Sequence, residues 1–319
     1  MQENPYQLII IGGGPAGLTA GLYASRGLLN AILLEKGTSG GQMLTTDWID
    51  NYPGFVEGVS GYDLIEKMAA QADRFGLVKK FATLTSMDLE GRIKRLTLDN
   101  GETLETLSVI LCTGAKSKRL NIPGEQEFIG RGVSFCATCD APFYRGQHVA
   151  VVGGGNTSLQ EALHLAKFAS QVTIIHRRDE LRATKILQQK AFANPKIDFI
   201  WNSEVRQVLG DKSGVTSLLL EDAKGSIQTL AVTGIFVFIG IQPNNSLLPM
   251  DKLQADENGF IITDEEMATA IPGVFAAGDI RSKYARQIIN AAGEGAVAAL
   301  SAERYLEHDI PLETEQSHE

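Results

Sequence analysis

The sequence contains one glycine-rich pattern twice, each time between a short apolar run and a helical stretch. In the first copy the apolar run Leu8–Ile11 is followed by "GGGPAG", and a second apolar run, Ile32–Leu34, comes after the helical stretch. A strand, a tight glycine turn and a helix open a Rossmann unit, in which the glycines permit the turn, the approach of a pyrophosphate and close helix packing. We therefore predict a dinucleotide site formed by Gly12, Gly14, Pro15, Ala16 and Gly17, with Glu35 and Lys36 after the second strand.

The second copy lies in the middle of the chain. The apolar run Val149–Val152 precedes "GGGNTS", and a second predicted strand, Val172–Ile175, follows the helical stretch. Serine takes the third motif position, where a small side chain still permits close packing. The predicted contacts of this turn are Gly153, Gly155, Asn156, Thr157 and Ser158.

The two copies differ at the end of their second strand. The first presents Glu35, whose carboxylate would accept hydrogen bonds from both ribose hydroxyls of an unphosphorylated adenosine. At the same distance from its first glycine, the second presents His176, Arg177 and Arg178, with Arg182 one turn later. Arginines there would clamp a 2′-phosphate. The first site therefore predicts FAD or NAD, and the second predicts NADP.

The remaining apolar runs indicate the domain organisation. One run ends at the turn Thr113–Ala115 and another near Gly240, and both lead into polar connectors. The last part of the chain, with its Gly278-Asp279 turn, forms no third dinucleotide unit and is expected to complete the first. We predict an α/β protein with two Rossmann-like domains, in which an NADPH domain (residues 117–244) is inserted into a discontinuous FAD domain (1–116 and 245–319).

Composition excludes several classes of protein. The 319 residues carry a net charge of −9 without a long Lys/Arg stripe, so we expect no nucleic-acid partner. No apolar stretch reaches the roughly 18 residues of a membrane span, and the N-terminus lacks a signal-peptide pattern. With three cysteines and no export signal, we expect a cytoplasmic protein in which Cys112 is a buried apolar residue.

The other two cysteines form a C-x-x-C motif, which can hold zinc, form a structural clip or form a redox disulfide. Zinc needs four ligands, and no second cysteine pair or suitably spaced histidine pair is present, so we expect no metal. Local chemistry favours the redox disulfide. Ser134 is expected to cap a short helical turn that Pro142 ends, and a helix start favours the thiolate. Asp140, directly after Cys139, could transfer a proton to the departing thiolate.

Taken together, these motifs resemble the low-molecular-weight bacterial thioredoxin reductases over essentially the whole chain. The matching segments are "GGGPAG" (12–17), "GGQ" (40–42), "NYPG" (51–54), "CATCD" (136–140), "GGGNT" (153–157), "HRR" (176–178), "GD" (278–279) and "RQ" (286–287). Ala141-Pro142 departs from the glycine and apolar residue expected after the Cys-Asp pair.

The resemblance implies NADPH-dependent reduction of thioredoxin through FAD and a Cys136–Cys139 disulfide, with Asp140 as the acid–base residue, in a homodimer. It places thioredoxin near Arg131, Phe143 and Tyr144. Since cysteines and NADP site share the inserted domain, we also expect that domain to rotate during turnover. The residues expected to line FAD, beyond the first turn, are Gly40, Gly41, Gln42, Asn51, Gly114, Gly278, Asp279, Arg286 and Gln287.

Two alternative functions stay open at this point. One is flavin-dependent reduction of a different disulfide protein, as in peroxiredoxin-reducing or ferredoxin-linked relatives. The other is a flavin-binding sensor without turnover.

Overall fold

The computed structural model describes residues 5–46 and 48–308. These residues form two compact units, with the divisions between Lys116 and Ser117 and between Ile241 and Gln242. Each division falls in a short strand, and the two strands pair with each other: β7 (Ala115–Ser117) and β16 (Ile241–Pro243). The middle of the chain is therefore one unit, and the flanking segments together are the other.

The first unit contains a seven-stranded sheet in the order β3-β2-β1-β6-β5-β4, with β17 also paired to β6. Strands β3, β2, β1, β6 and β17 are parallel, whereas β5 and β4 continue as an antiparallel meander. The strands are β1 (Tyr6–Ile11), β2 (Ala31–Glu35), β3 (Val78–Phe81), β4 (Leu84–Asp88), β5 (Lys94–Leu98), β6 (Thr103–Leu111) and β17 (Val274–Ala276).

Strand β1 is buried because its side chains pack into two hydrophobic cores. Leu8 and Ile10 pack in the core under the helices, whereas Ile9 and Ile11 pack in the core with the leucines of β5. Alternate residues of a strand face opposite sides of a sheet, so a strand covered on both sides is continuously apolar. The helices of this unit are α1 (Pro15–Arg26), α2 (Gly61–Arg74), α6 (Ile288–His308) and a 3-10 helix at Gly41–Thr45.

The second unit has a five-stranded parallel sheet in the order β11-β10-β9-β15-β8 and a three-stranded antiparallel sheet, β12-β13-β14. The strands are β8 (Val133–Ser134), β9 (His148–Val152), β10 (Gln171–Ile175), β11 (Ile197–Ile200), β12 (Ser203–Asp211), β13 (Gly214–Asp222), β14 (Ile227–Ala231) and β15 (Gly234–Val237). The helices are α3 (Ala137–Asp140), α4 (Asn156–Leu165), α5 (Lys185–Phe192) and a 3-10 helix at Ala141–Tyr144. The predicted α/β class with two Rossmann-like units is confirmed.

The two glycine turns have the same geometry. Each starts with a glycine at positive φ, +105° at Gly12 and +149° at Gly153, a conformation that L side chains rarely adopt. Each ends in a glycine N-cap, Gly14 or Gly155, that supplies no side-chain hydrogen bond. The first N–H groups of α1 and α4 therefore keep their hydrogen-bonding capacity for an anion.

The contact that holds α1 against β1 leads to our first prediction. A Cβ on Gly17 would overlap the carbonyl oxygen of Gly12, whereas a Cβ on Gly14 would meet nothing within 4 Å. We expect Gly17→Ala to lower the free energy of unfolding by about 1–3 kcal/mol, as overpacking does, and Gly14→Ala to cost less than about 1 kcal/mol. Urea unfolding followed by far-UV circular dichroism compares the two, and equal losses would contradict the packing explanation.

Candidate functional site

The cysteine pair lies in the second unit, just after β8. Cys136 is the N-cap of α3, and its sulfur forms a disulfide with Cys139, with 5.3 Å between the two Cα atoms. The backbone N–H of Cys139 donates to the Cys136 sulfur at 3.2 Å. The turn therefore joins the two cysteines and also directs a main-chain donor at one sulfur. Such a donor would stabilise a Cys136 thiolate once the disulfide is reduced.

The expectation that Ser134 caps this turn is wrong, because Cys136 takes that position. Ser134 lies two residues earlier, at the end of β8, and is 4% exposed. Its Oγ accepts the N–H of Cys136 at 3.1 Å and lies 2.5 Å from Asp140 Oδ2, to which it donates. The carbonyl oxygen of Cys136, at 3.3 Å, is a poorer acceptor for the same hydrogen. Ser134 thus links the cysteine turn to the Asp140 carboxylate.

Two further titratable groups flank the turn. Burial, with the charge of Asp140 as the second cause, raises the pKa of Tyr144 to about 12, so this phenol stays protonated at neutral pH. Glu161 on α4 has a buried Oε2 that makes no hydrogen bond to the described residues, and burial raises the pKa of this carboxyl while the Thr138 N–H opposes the shift. Sequence reasoning missed Glu161, because only the packing of α3 on α4 places it beside the turn.

The residues next to the disulfide expose an aromatic ring. Pro142 lies in the first turn of the 3-10 helix, where its missing N–H costs no hydrogen bond, and Phe143 is 52% exposed. Arg131, also exposed, lies with its guanidinium carbon 5.5 Å from the centre of the Phe128 ring.

In the first unit, Glu35 lies beside the glycine turn. Its Oε2 accepts the N–H of Gly13 at 2.7 Å, and its Oε1 accepts the N–H of Lys36 at 2.8 Å. The carboxylate is therefore held at the end of β2, as the βαβ pattern predicts. The structure also brings Gly41 close to Gly14, since a Cβ on Gly41 would lie 3.7 Å from the Gly14 Cα.

Other predicted residues of the first unit occupy defined positions around this turn. Gln42 donates to the carbonyl of Ala115 at 2.8 Å, and Asn51 donates to Gln287 Oε1 at 3.1 Å, just before α6 begins. Gly114 has a φ of +69° and open space where a Cβ would lie, whereas a Cβ on Gly278 would lie 2.9 Å from that of Ala16.

A charged network that the motifs did not predict holds the Gly278-Asp279 turn. Glu294 on α6 accepts the Gly278 N–H at 2.8 Å and forms ion pairs with Arg281 at 2.9 Å and Lys283 at 3.2 Å. Lys283 also lies 3.3 Å from Asp279 Oδ1. Glu294 was missed because nothing in its local sequence separates it from an ordinary surface residue of a helix.

Within the described part of the first unit, four buried polar atoms make no hydrogen bond to the protein. They are Ser39 Oγ, Thr113 Oγ1, Asp279 Oδ1 and Arg286 Nε. The Arg286 guanidinium also lies 4.1 Å from the centre of the Phe260 ring. Asp279 Oδ1 has the Lys283 ammonium as an ion-pair partner, whereas Ser39 and Thr113 lie beside Gly13 and Gly12 of the glycine turn. Buried polar atoms are normally paired, so these two hydroxyl groups fit a polar cofactor bound at the turn.

In the second unit, His176 packs on the glycine turn. Its ring covers Gly154, where a Cβ would overlap it, and its Nε2 lies 3.0 Å from the carbonyl of Glu180. Burial lowers the pKa of His176, the hydrogen bond to the Glu180 carbonyl opposes this shift, and the charges of the neighbouring arginines add to it, so the ring is neutral at pH 7. His176 therefore shapes the turn from within the protein, where it is 6% exposed.

The arginines around His176 are exposed. Across residues 5–46 and 48–308, no ion pair engages the side chains of Arg177, Arg178 or Arg182. Three clustered cations without carboxylate partners favour an anionic ligand.

The rest of the turn is internally bonded. Asn156 Oδ1 accepts the N–H of Thr184 at 2.8 Å, and Thr157 is exposed. The buried Ser158 donates to the carbonyl of Gly155 at 2.8 Å, which explains why a hydroxyl is accepted at this motif position.

The described helices include none that is long and apolar enough to cross a membrane. The third cysteine, Cys112, is buried and free, as predicted, and burial raises the pKa of its thiol.

Comparisons with known proteins place the chain in a family. A family model described as pyridine nucleotide-disulphide oxidoreductase matches residues 6–295. The thioredoxin reductase of Peptoclostridium acidaminophilum is 47% identical over 311 residues, which cover 96% of this chain and 98% of the relative. The crystal structure of thioredoxin reductase from Streptococcus pyogenes has a TM-score of 0.90 at 42% identity, covering 95% of this chain and 98% of that one.

A ferredoxin-flavin thioredoxin reductase from Clostridium acetobutylicum is also similar, with a TM-score of 0.52, 30% identity, and coverage of 95% of this chain and 98% of that one. The glycine turns, the cysteine pair and these full-length similarities agree. The chain belongs to the pyridine nucleotide-disulphide oxidoreductase family and resembles its thioredoxin reductases over nearly the whole length.

Proposed function

We propose that the protein uses NADPH to reduce the disulfide of thioredoxin, through FAD and the Cys136–Cys139 pair. The observation that carries this proposal is a disulfide placed on a unit that also has a dinucleotide-type turn, while a second such turn lies in the other unit. The thioredoxin reductases that cover nearly the whole chain at 42–47% identity support it. The products are NADP⁺ and the thioredoxin dithiol.

The proposal assigns FAD to the first unit, residues 1–116 and 245–319. Bound FAD would supply a two-electron carrier between nicotinamide and disulfide. The uncapped start of α1 would bind the pyrophosphate, and Glu35 would accept the hydroxyls of the adenosine ribose. Hydrogen bonds to FAD would satisfy the unpaired hydroxyl groups of Ser39 and Thr113.

The inserted unit, residues 117–244, is assigned to NADPH. The start of α4 has no side-chain cap and would bind the pyrophosphate of the nucleotide. The exposed guanidinium groups of Arg177, Arg178 and Arg182 would bind the 2′-phosphate, which distinguishes NADPH from NADH. His176 would contribute by holding the turn in shape, since its ring is buried and hydrogen-bonded to Glu180.

The cysteine turn would carry out the exchange with thioredoxin. The N–H of Cys139 would stabilise a Cys136 thiolate, and Asp140 would transfer the protons of the thiols. The exposed Phe143 and Arg131 of the inserted unit support a protein partner. Because the disulfide and the NADPH site share that unit, they would reach the flavin in turn through its rotation.

Assembly and location complete the proposal. Ile289, Val297 and Leu300 are exposed apolar residues spaced along one face of α6, which supports a homodimer formed through the first unit. A cytoplasmic location is supported by cysteine usage, because the chain has one close pair and one buried thiol and no disulfide framework.

Ferredoxin-linked reduction of thioredoxin is the second candidate, favoured by the similarity to the Clostridium acetobutylicum enzyme. The arginines argue for NADPH, since a ferredoxin-driven enzyme needs no clamp for a 2′-phosphate. The peroxiredoxin-reducing and sensor alternatives have no observation of their own in the structure.

The nucleotide assignment is tested by Arg177→Ala/Arg178→Ala. We expect the KM for NADPH to rise about tenfold to a hundredfold, since each lost hydrogen bond joins two charged groups, while the KM for NADH stays unchanged. Steady-state kinetics with both nucleotides measures this. Arg206→Ala is the matched control, an exposed arginine of the same unit that pairs with Glu221. An unchanged preference for NADPH would refute the phosphate assignment.

The electron path is tested by Cys139→Ser, with Cys112→Ala as the control at the buried thiol. We expect Cys139→Ser to stop thioredoxin reduction, because no intramolecular disulfide can form, while NADPH still bleaches the flavin absorbance under anaerobic conditions. Cys112→Ala should retain both reactions. Turnover by Cys139→Ser at the wild-type rate would show that electrons bypass the cysteine pair.

A further inference from the structure

Ser134 connects two groups on which thiol chemistry depends. The hydroxyl is buried at the end of β8, accepts the Cys136 N–H at 3.1 Å and donates to Asp140 Oδ2 at 2.5 Å. A single side chain therefore joins a reactive cysteine to the neighbouring carboxylate. The arrangement is also rigid, because Ser134 belongs to a strand that pairs with β15 in the sheet.

The backbone gives a second link between the same residues. The N–H of Asp140 donates to the carbonyl oxygen of Cys136 at 3.1 Å, which is the backbone bond that closes one helical turn. This bond fixes the main chain of Asp140 but does not set its side-chain torsions. The short bond from the Ser134 hydroxyl restricts those torsions, because it requires Oδ2 to point towards the end of β8.

We propose that Ser134 is a positioning residue for thiol–disulfide exchange, which holds the Asp140 carboxylate in one orientation against the cysteine turn. The inference rests on the proposed function, because it assigns the proton transfers of that reaction to Asp140. It adds a residue that no cysteine or carboxylate motif identifies.

Tyr144 is a titratable neighbour of Asp140, and Glu161 lies on α4, the helix that packs against α3. Tyr144 from the 3-10 helix stays protonated at neutral pH, since burial raises its pKa to about 12. Glu161 from α4 faces the Thr138 N–H. The Ser134 hydroxyl differs from both groups because it does not titrate in the pH range of the exchange.

The exchange needs a base and an acid in alternation. The dithiol has two protons, and one thiol gives its proton to Asp140 as its thiolate attacks the partner disulfide. This forms a mixed disulfide and releases a partner thiolate, which takes that proton. The second thiol then loses its proton to Asp140, its thiolate breaks the mixed disulfide, and the second partner thiolate is protonated. The Cys136–Cys139 disulfide is restored, and two electrons and two protons have passed to the partner.

The experiment compares Ser134→Ala, Ser134→Thr and Ser134→Cys in the flavin-loaded enzyme. Ala removes the hydroxyl, Thr keeps it, and Cys preserves the volume with a much weaker donor. Stopped-flow absorbance separates flavin reduction by NADPH from reoxidation by thioredoxin. We expect Ser134→Ala to slow the thioredoxin step about tenfold to a hundredfold, less than loss of an acid–base group can cost, with flavin reduction unchanged. The rate of the thioredoxin step in Ser134→Thr should stay within about threefold of the wild-type rate.

The pH profile distinguishes positioning from a structural role. A carboxylate that loses a donor binds a proton more tightly, so the acidic limb of the thioredoxin step should move up by about one pH unit in Ser134→Ala. The acidic limb of Ser134→Cys should move in the same direction, and this variant provides the measurement if Ser134→Ala fails to bind flavin. A slower step with an unmoved limb in both variants would overturn the proposal.

A double-mutant cycle with Asp140→Asn provides the second criterion. If Ser134 acts through Asp140, then Ser134→Ala has no further effect on the thioredoxin step in the Asp140→Asn background. Equal effects in both backgrounds would overturn the proposal. The aromatic disulfide dithiobisnitrobenzoate serves as a second electron acceptor for all variants. A wild-type enzyme that reduces this compound but no thioredoxin would refute the proposed function. The Ser134 variants could then still be compared with this compound as the electron acceptor.

Discussion

The close approach of a helix to the end of a strand is the constraint on which both units depend. In the first unit, Gly17 lies directly against the carbonyl of Gly12, and any side chain there would force α1 away from β1. In the second, Ser158 lies against Gly153 and stays buried by bonding to Gly155. This packing aims the uncapped start of each helix at the carboxyl end of its sheet. The anion-binding capacity of both turns follows from that single contact.

The cysteine turn also directs a backbone N–H at the start of a helix towards an acceptor, which here is a sulfur atom. Its N-cap is Cys136, whose sulfur accepts the N–H of Cys139 in place of a phosphate oxygen. The turn is only four residues long and would be marginal alone. It is held by the parallel pairing of β8 with β15, by Ser134 and by the packing of α3 on α4. The reactive pair is therefore supported by residues that do not react.

Much of the candidate site could be predicted because its parts are local in sequence. The glycine spacing, the carboxylate after β2 and the basic cluster after β10 each depend on contacts within one βαβ unit, and the structure forms both units where expected. The prediction failed at Ser134, because serine before a short helix is usually its cap, and here a cysteine intervenes. Glu294 was missed for a different reason: its partners are Gly278, Arg281 and Lys283, whose approach depends on how α6 packs.

By itself, the sequence determined the α/β class, the two dinucleotide-type turns and the position of the cysteine pair, because each is encoded by neighbouring residues under steric limits. Only the tertiary structure decided which buried polar atoms of the described residues lack partners, that His176 faces inward while its arginines face solvent, and that Ser134 meets Asp140. The physical reason is that hydrogen bonds and burial depend on distances between atoms from different elements. Sequence periodicity and motif spacing do not specify those distances, which are set only when the sheets and helices pack.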